Sequence, residues 1–591
     1  MVIELTPTNI NGYMRNLNKV TITLRKISLI QFITILGLLV FAFNLQNVLR
    51  NYFAIYGTND DYLMNAMLDG KYSGSVNFHI TYINEIASSV LATFYKLIPN
   101  VPVYGIFLLL FLVASLIGPI LLQVKQNRNY NLKIIISWSV SSIIITNWFV
   151  LNPTFTSASM MISTLGYLIL FIQINNKFSK RAFSFVVLLL LLGYLLRVQG
   201  FQSSSLVWLP LILSSLVYQS LYKKINYRIF INRFTFLASI APIILVTFIN
   251  LNIDSEWKDF YEFNKKRGSI ETTTRINYLE ANKSKLNIED ELLAKLQNFT
   301  LIDQTDFKSE ILDDLITKSN SSQGISGLIT PVVDVQFRVQ SLYKYGGLIA
   351  LMLLLPIASS LVSVRNRIYY FHLGLITSLV LFSFYYVLST AKIEERVVIP
   401  LILNLWFFAF AFFDKKQVKG GKLRLSAYLI FIMIFLSIFN KHVHHPTYFK
   451  ERSKWNQGAI EFSQQQRIVL SEIGNDAIFV GPISAIRLNW TSPYEVSQTK
   501  DPNFISFGWH NFSPTWFEKN QRLFGNEDSI LDNLAKTKQT YWVSDAETAD
   551  KFFSSNYLRN GLELNPKIVS SLETVENIYG GPYNVYSLSS K

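Results

Sequence analysis

Long apolar runs separated by short polar segments dominate this chain. A helix needs roughly 20 apolar residues to cross the hydrocarbon core of a bilayer. Runs of that kind fall near 27–48, 103–124, 133–151, 156–175, 182–197, 204–222, 230–251, 343–363, 368–390, 396–413 and 424–440. The pattern predicts an α-helical polytopic membrane protein of about eleven spans. Every second break between runs is basic. Arg25 and Lys26 precede the first run, Lys125 and Arg128 follow the second, and Lys180 and Arg181 follow the fourth. Lys223 and Lys224 follow the sixth, Arg365 and Arg367 the eighth, and Lys415 and Lys416 the tenth. Basic residues collect in short cytoplasmic loops, so the N-terminus is expected inside the cell membrane and the C-terminus outside. The first run is too long for a signal-peptide core and lacks a small-residue cleavage site, which reads as an uncleaved anchor.

The stretch 80–98 is apolar but carries Asn84, Glu85 and Lys96. As a span it would place the Lys125 segment outside, so it is expected as an amphipathic helix on the outer membrane surface. Three soluble pieces then face outward. An N-terminal membrane module at 1–251 carries a first outer loop at 49–102. A large outer loop fills 252–342, further spans occupy 343–440, and a tail takes up 441–591. In the large loop, EWKDFYEFNKKR and IEDELLAKLQNF have helical periodicity. In the tail, DAIFVGPI and QTYWVSD read as strands and AETADKFFSSN as a helix capped by Asp545. That order predicts a small α/β domain.

Composition sharpens this picture. Hydrophobic residues make up 50% and charged residues only 16%, against about 25% charged in ordinary soluble domains. A soluble globular enzyme and a disordered chain are both excluded. The chain has no cysteine, which removes disulfides, thiol nucleophiles and zinc–cysteine sites. The net charge of +15 is mostly absorbed by the alternating basic loops, so no nucleic-acid partner is expected.

Four residues stand out for chemistry. Asp60 and Asp61 follow the first run in Gly57-Thr58-Asn59-Asp60-Asp61-Tyr62. Adjacent carboxylates can serve as a general base or hold a divalent cation such as Mg or Mn. The plainer reading makes Asp60 the N-cap of a helix over YLMNAML. Arg197 and Arg396 stand at the outer ends of the fifth and tenth runs. Guanidinium groups at membrane depth are costly and usually meet an anion or line a cavity. Two of them can grip a phosphate, or else snorkel to headgroups or pair with Glu394 or Glu395.

Weaker candidates lie in the outer loops. His79 could assist proton transfer. Trp257 and Tyr261 open the large loop and can either stack on a sugar ring or anchor the loop at the interface. His442, His444 and His445 cluster beyond the last run but match no standard zinc spacing. No Gly-rich phosphate loop, serine elbow or HExxH motif occurs in usable context, so ATP-driven transport is not expected.

With these residues placed, the layout resembles the GT-C class of integral-membrane glycosyltransferases. What carries the resemblance is one span, an outward loop bearing Asp60 and Asp61, surface helices, six more spans, a long outer loop, further spans and an outer α/β tail. The resemblance implies a sugar donor linked to a polyprenyl phosphate, used on the outer face of the bilayer. It implies that Asp60 or Asp61 acts as general base or metal ligand, and that Arg197 and Arg396 bind the donor phosphate. The WWDYG-type tail motif of the oligosaccharyltransferases is missing, which argues against that branch. The Lys-, Asn- and Ile-rich composition suggests an AT-rich bacterium, hence a cell-envelope polysaccharide or teichoic-acid-like acceptor. The alternatives are a polysaccharide polymerase or ligase using polyprenyl-diphosphate substrates, a lipid or polysaccharide transporter, and a polymer-binding assembly protein.

Overall fold

The computed structural model describes residues 29–125, 132–175, 180–222, 255–270, 273–289, 309–320, 367–389, 395–409, 445–474, 476–482, 503–525, 539–555, 564–572 and 583–590, with the short pieces 292–293, 296, 485–486, 491–496 and 533. Among these residues the chain is mostly helical, with one small sheet near its C-terminus. The N-terminal helical part begins with α1 (Leu29–Asn51), then α2 (Asn59–Leu68), α3 (Glu85–Leu97), α4 (Val103–Lys125) and α5 (Leu132–Leu151). It continues with α6 (Phe155–Asn175), α7 (Lys180–Leu196) and α8 (Val198–Tyr222). The large loop contributes α9 (Ser255–Ile270), α10 (Thr273–Ala281) and α11 (Ser309–Asn320), and two more apolar helices follow, α12 (Arg367–Ser389) and α13 (Glu395–Ala409).

Three of these helices are long and apolar enough to cross a bilayer: Val103–Leu122, Phe155–Asn175 and Val198–Gln219. Shorter apolar segments lie at Arg181–Leu196, Tyr370–Phe384 and Arg396–Phe408. This is a coarser result than the expected eleven spans. The runs at 230–251, 343–363 and 424–440 lie outside the described residues, as does most of the helix expected over IEDELLAKLQNF.

Helix α6 is the hub of the apolar bundle, packing on α4, α7, α8 and α13. Its side chains are buried all round from Phe155 to Ile172. Small residues allow the close approach. A Cβ at Gly193 would collide with Ser163 Oγ, and one at Gly200 would press on Ser159. Inside this apolar packing, polar groups must find partners within the protein. Thr164 Oγ1 and Trp208 Nε1 both donate to Asn404 Oδ1, at 2.9 and 2.7 Å.

Helix α3 covers most of the stretch 80–98 and is apolar on both sides. It buries Leu91, Ala92 and Tyr95 and exposes Ile86, Val90, Phe94 and Leu97. Asn84 caps it, accepting the Ile86 N–H at 3.0 Å.

The tail opens with α14 (His445–Ile473), a 29-residue helix. His442 and His444 lie outside the described residues. Then come β1 (Ile478–Pro482), β2 (Asn503–Phe507), α15 (Pro514–Phe524), β3 (Thr540–Asp545), α16 (Ala546–Ser555), β4 (Leu564–Leu572) and β5 (Tyr583–Ser590). The sheet order is β2-β1-β3-β5-β4. Strand β1 runs parallel to β2 and β3, while β5 runs antiparallel to β3 and β4. Buried on both faces, β1 reads as a continuous apolar run, as central parallel strands do. Asp545 caps α16 as its spacing predicts, accepting the Thr548 N–H at 2.8 Å. The tail is bonded to the turns between the apolar helices. Arg452 donates to Asn152 Oδ1, Asn456 to the carbonyls of Phe53 and Leu151, and Tyr494 Oη to the Val150 carbonyl.

Candidate active site

The short helix α2 positions both aspartates. Its N-cap is Thr58, whose Oγ1 accepts the Asp61 N–H, so Asp60 is not the cap that the sequence suggested. Helical geometry sends adjacent side chains in different directions, and the two carboxylates part company here. Asp61 is fully buried. Its Oδ2 accepts from Thr58 Oγ1 at 2.6 Å, and its Oδ1 accepts from Tyr104 Oη at 2.8 Å and from the Phe155 N–H at 3.0 Å. Burial pushes its pKa up to about 6, against the opposing pull of those hydrogen bonds and of Arg396. Asp60 instead turns to Arg396, with Oδ2 3.5 Å from Nη1 and the two side chains 20% and 17% exposed.

The first turn of α6 gathers the other members. Thr154 caps it, its Oγ1 accepting the Ser157 N–H at 3.1 Å. Phe155, Thr156 and Ser157 then hold one site residue each. The Phe155 N–H binds Asp61, Thr156 Oγ1 accepts from Arg197 Nη1, and Ser157 Oγ donates to the Arg396 carbonyl at 3.0 Å. Arg197 stands at the break between α7 and α8, its backbone carbonyl accepting from Ser159 Oγ at 3.0 Å. Its guanidinium lies over the Phe155 ring at 4.5 Å and the Tyr82 ring at 5.6 Å.

Asp60, Asp61, Arg197 and Arg396 therefore meet at one helix end, although they are up to 336 residues apart in the chain. Two cations and several hydroxyls at a helix N-terminus suit an anion. The carboxylate of Asp60, partly exposed and facing Arg396, suits proton transfer. A divalent cation bridging both aspartates does not fit this arrangement, because Asp61 spends its oxygens on three donors while Asp60 faces a guanidinium. Among the described residues, no three His, Asp or Glu side chains converge.

His79, Trp257 and Tyr261 also come together. The His79 imidazole stacks on Trp257 with 4.9 Å between centroids and lies 3.2 Å from Glu85 Oε1. Trp257 is 5% exposed, and its ring meets Tyr261 at 5.8 Å. The indole face expected to stack on a sugar is thus covered by His79. These three residues join α9 to the segment that precedes α3.

The sequence reading missed Thr154, Thr156, Ser157 and Tyr104. The signal was the hydroxyl-rich start Asn152-Pro153-Thr154-Phe155-Thr156-Ser157, a helix opening placed before a long apolar run. No protein-family model, no curated protein and no solved structure matches this chain.

Proposed function

We propose that this protein is a GT-C-type glycosyltransferase of the cell membrane. It would span the bilayer about eleven times and move a sugar from a polyprenyl-phosphate donor to a cell-envelope acceptor on the outer face. The observation that carries the reading is the meeting of Asp60, Arg396 and Arg197 on the first turn of α6. Asp60 takes the proton of the acceptor hydroxyl, whose oxygen attacks the anomeric carbon. The bond from that carbon to the phosphate oxygen breaks, and the polyprenyl phosphate leaves with the electron pair. Arg197 and Arg396 neutralise the departing charge in a site of low dielectric. In this scheme Arg396 passes from Asp60 to the phosphate as donor binds, which frees the carboxylate. Asp61 is a positioning residue that ties α2 to α6.

The test is the sugar composition of the purified envelope in three strains. One lacks the gene, one carries it back, and one carries Asp60→Asn at matched membrane level. A single sugar should disappear from the first and third and return in the second. An unchanged composition in all three would refute the transferase reading and leave transport or assembly. Longer or shorter chains of unaltered composition would favour the polymerase.

A further inference from the structure

The turn after β2 reaches from the tail to the first outer loop, and it is built under constraint. Phe512 is buried with φ of 68°, a region that costs a non-glycine residue about 1 kcal/mol or more. The Gly508 N–H donates to Asn511 Oδ1 at 3.0 Å, and Arg267 Nη1 donates to the Gly508 carbonyl at 3.0 Å. His510 and Asn511 are fully buried. So fixed, the turn sets the half-buried Trp509 ring against Tyr82, with 4.8 Å between centroids. Tyr82 in turn lies 5.9 Å from Phe155 and under the Arg197 guanidinium. An aromatic series therefore runs from the tail to the proposed phosphate cation.

Two polar atoms in this turn have no partner. They are Nε1 of Trp509 and Nδ1 of His510, both sealed from solvent, on rings 5.6 Å apart. A buried donor left unmatched costs about 1–3 kcal/mol. His510 is kept neutral, since burial, then Arg267 and Lys519, push its pKa down to about 3. A neutral imidazole offers one donor and one acceptor nitrogen. Its Nε2 lies 3.3 Å from Ser506 Oγ, which leaves Nδ1 for something else. Adjacent residues with unmatched atoms, on a strained turn beside the site, mark a place that a ligand completes.

We propose that Trp509 and His510 form a sugar subsite, where a pyranose ring lies against the exposed part of the indole and the two rings turn to present Nε1 and Nδ1, closed off in the ligand-free chain, to one hydroxyl. A hydroxyl both donates and accepts, and an indole favours the C–H edges of a sugar. The inference rests on the glycosyl-transfer reading. The deciding variant is Trp509→Phe, which keeps an aromatic ring on Tyr82 and removes the N–H together with the five-membered ring that carries it. In the strain lacking the gene it should restore about a tenth of the wild-type transfer, while the purified protein keeps or raises its Tm. Binding of undecaprenyl phosphate to the full chain, read by native mass spectrometry, should be unchanged. Wild-type transfer from Trp509→Phe would overturn the subsite and leave the transferase reading intact. Loss of undecaprenyl phosphate binding would also overturn it, by making Trp509 part of the phosphate site. No sugar lost on deleting the gene would bring down both. Undecaprenyl phosphoglucose separates the sources. If the variant erases a wild-type preference for this lipid over the bare phosphate, the subsite holds the donor sugar. If that comparison is unaltered while transfer falls, it holds the acceptor.

Discussion

Asp61 is a buried carboxylate whose ionisation works against folding, and Asp61→Asn measures by how much. Its pKa rises from 3.8 to about 6 on folding, chiefly through burial. Each unit is about 1.4 kcal/mol, so the ionised form costs the fold about 3 kcal/mol above pH 6. The sign follows from proton uptake. The folded state holds the proton more tightly, so the protein gains stability as pH falls from about 6 to 3.8 and loses it again on the way up. Asparagine imitates the protonated form: its Oδ1 accepts from Tyr104 and Phe155, and its amide meets a Thr58 hydroxyl turned to accept. Asp61→Asn should thus be more stable than wild type by about 3 kcal/mol at pH 7, several degrees in Tm, and equal to it near pH 4. Asp61→Ala strands three buried donors at about 1–3 kcal/mol each, so it should fall about 3 kcal/mol or more below Asp61→Asn at every pH. The assay is thermal unfolding of the detergent-solubilised chain from pH 4 to pH 8, read as the difference between each variant and wild type. A flat difference between wild type and Asp61→Asn, or equal stability of the Asn and Ala variants, would refute the argument.

Two further outcomes follow from the site. Arg197→Lys keeps the charge but loses the planar group lying over Phe155. It should raise KM for the lipid-linked donor about tenfold while kcat moves less, and an unchanged KM would remove Arg197 from the phosphate site. Transfer by the purified protein should persist in excess chelator, because Asp61 is committed to three donors and is not available to bridge a cation with Asp60. Loss of activity in chelator, restored by Mg or Mn, would reverse that assignment.

Much of the helical layout was legible because hydropathy is a property of short windows. Helices α4 and α6 match apolar runs in the sequence to within a residue at each end, and α8 ends with its run but begins six residues earlier. Asp545 was legible for the same reason, since an N-cap is a local hydrogen bond. Strands β2, β4 and β5 were not, because NFISF and the polar, edge-forming β4 lack a period distinct from loop. The site was half legible. Charges stand out against an apolar background, so Asp60, Asp61, Arg197 and Arg396 were visible as types. That Asp61 is a strut, and Asp60 the partner of Arg396, depends on contacts 94 and 336 residues away. Thr156 and Ser157 are ordinary residues until the fold brings guanidinium and carbonyl groups to them.

The Thr164–Asn404 contact sets a timetable for biogenesis. The two residues are 240 positions apart, and the acceptor lies on the later helix. At the usual ~5–20 residues per second of synthesis, α6 waits roughly 12–48 s before α13 emerges. Throughout that interval Ser157 lacks the Arg396 carbonyl and Thr164 lacks Asn404, while Ser159 and Thr164 already have partners on α7 and α8. A nascent chain stalled before α13 therefore lacks these two bonds, and completion of α13 is the event that supplies them.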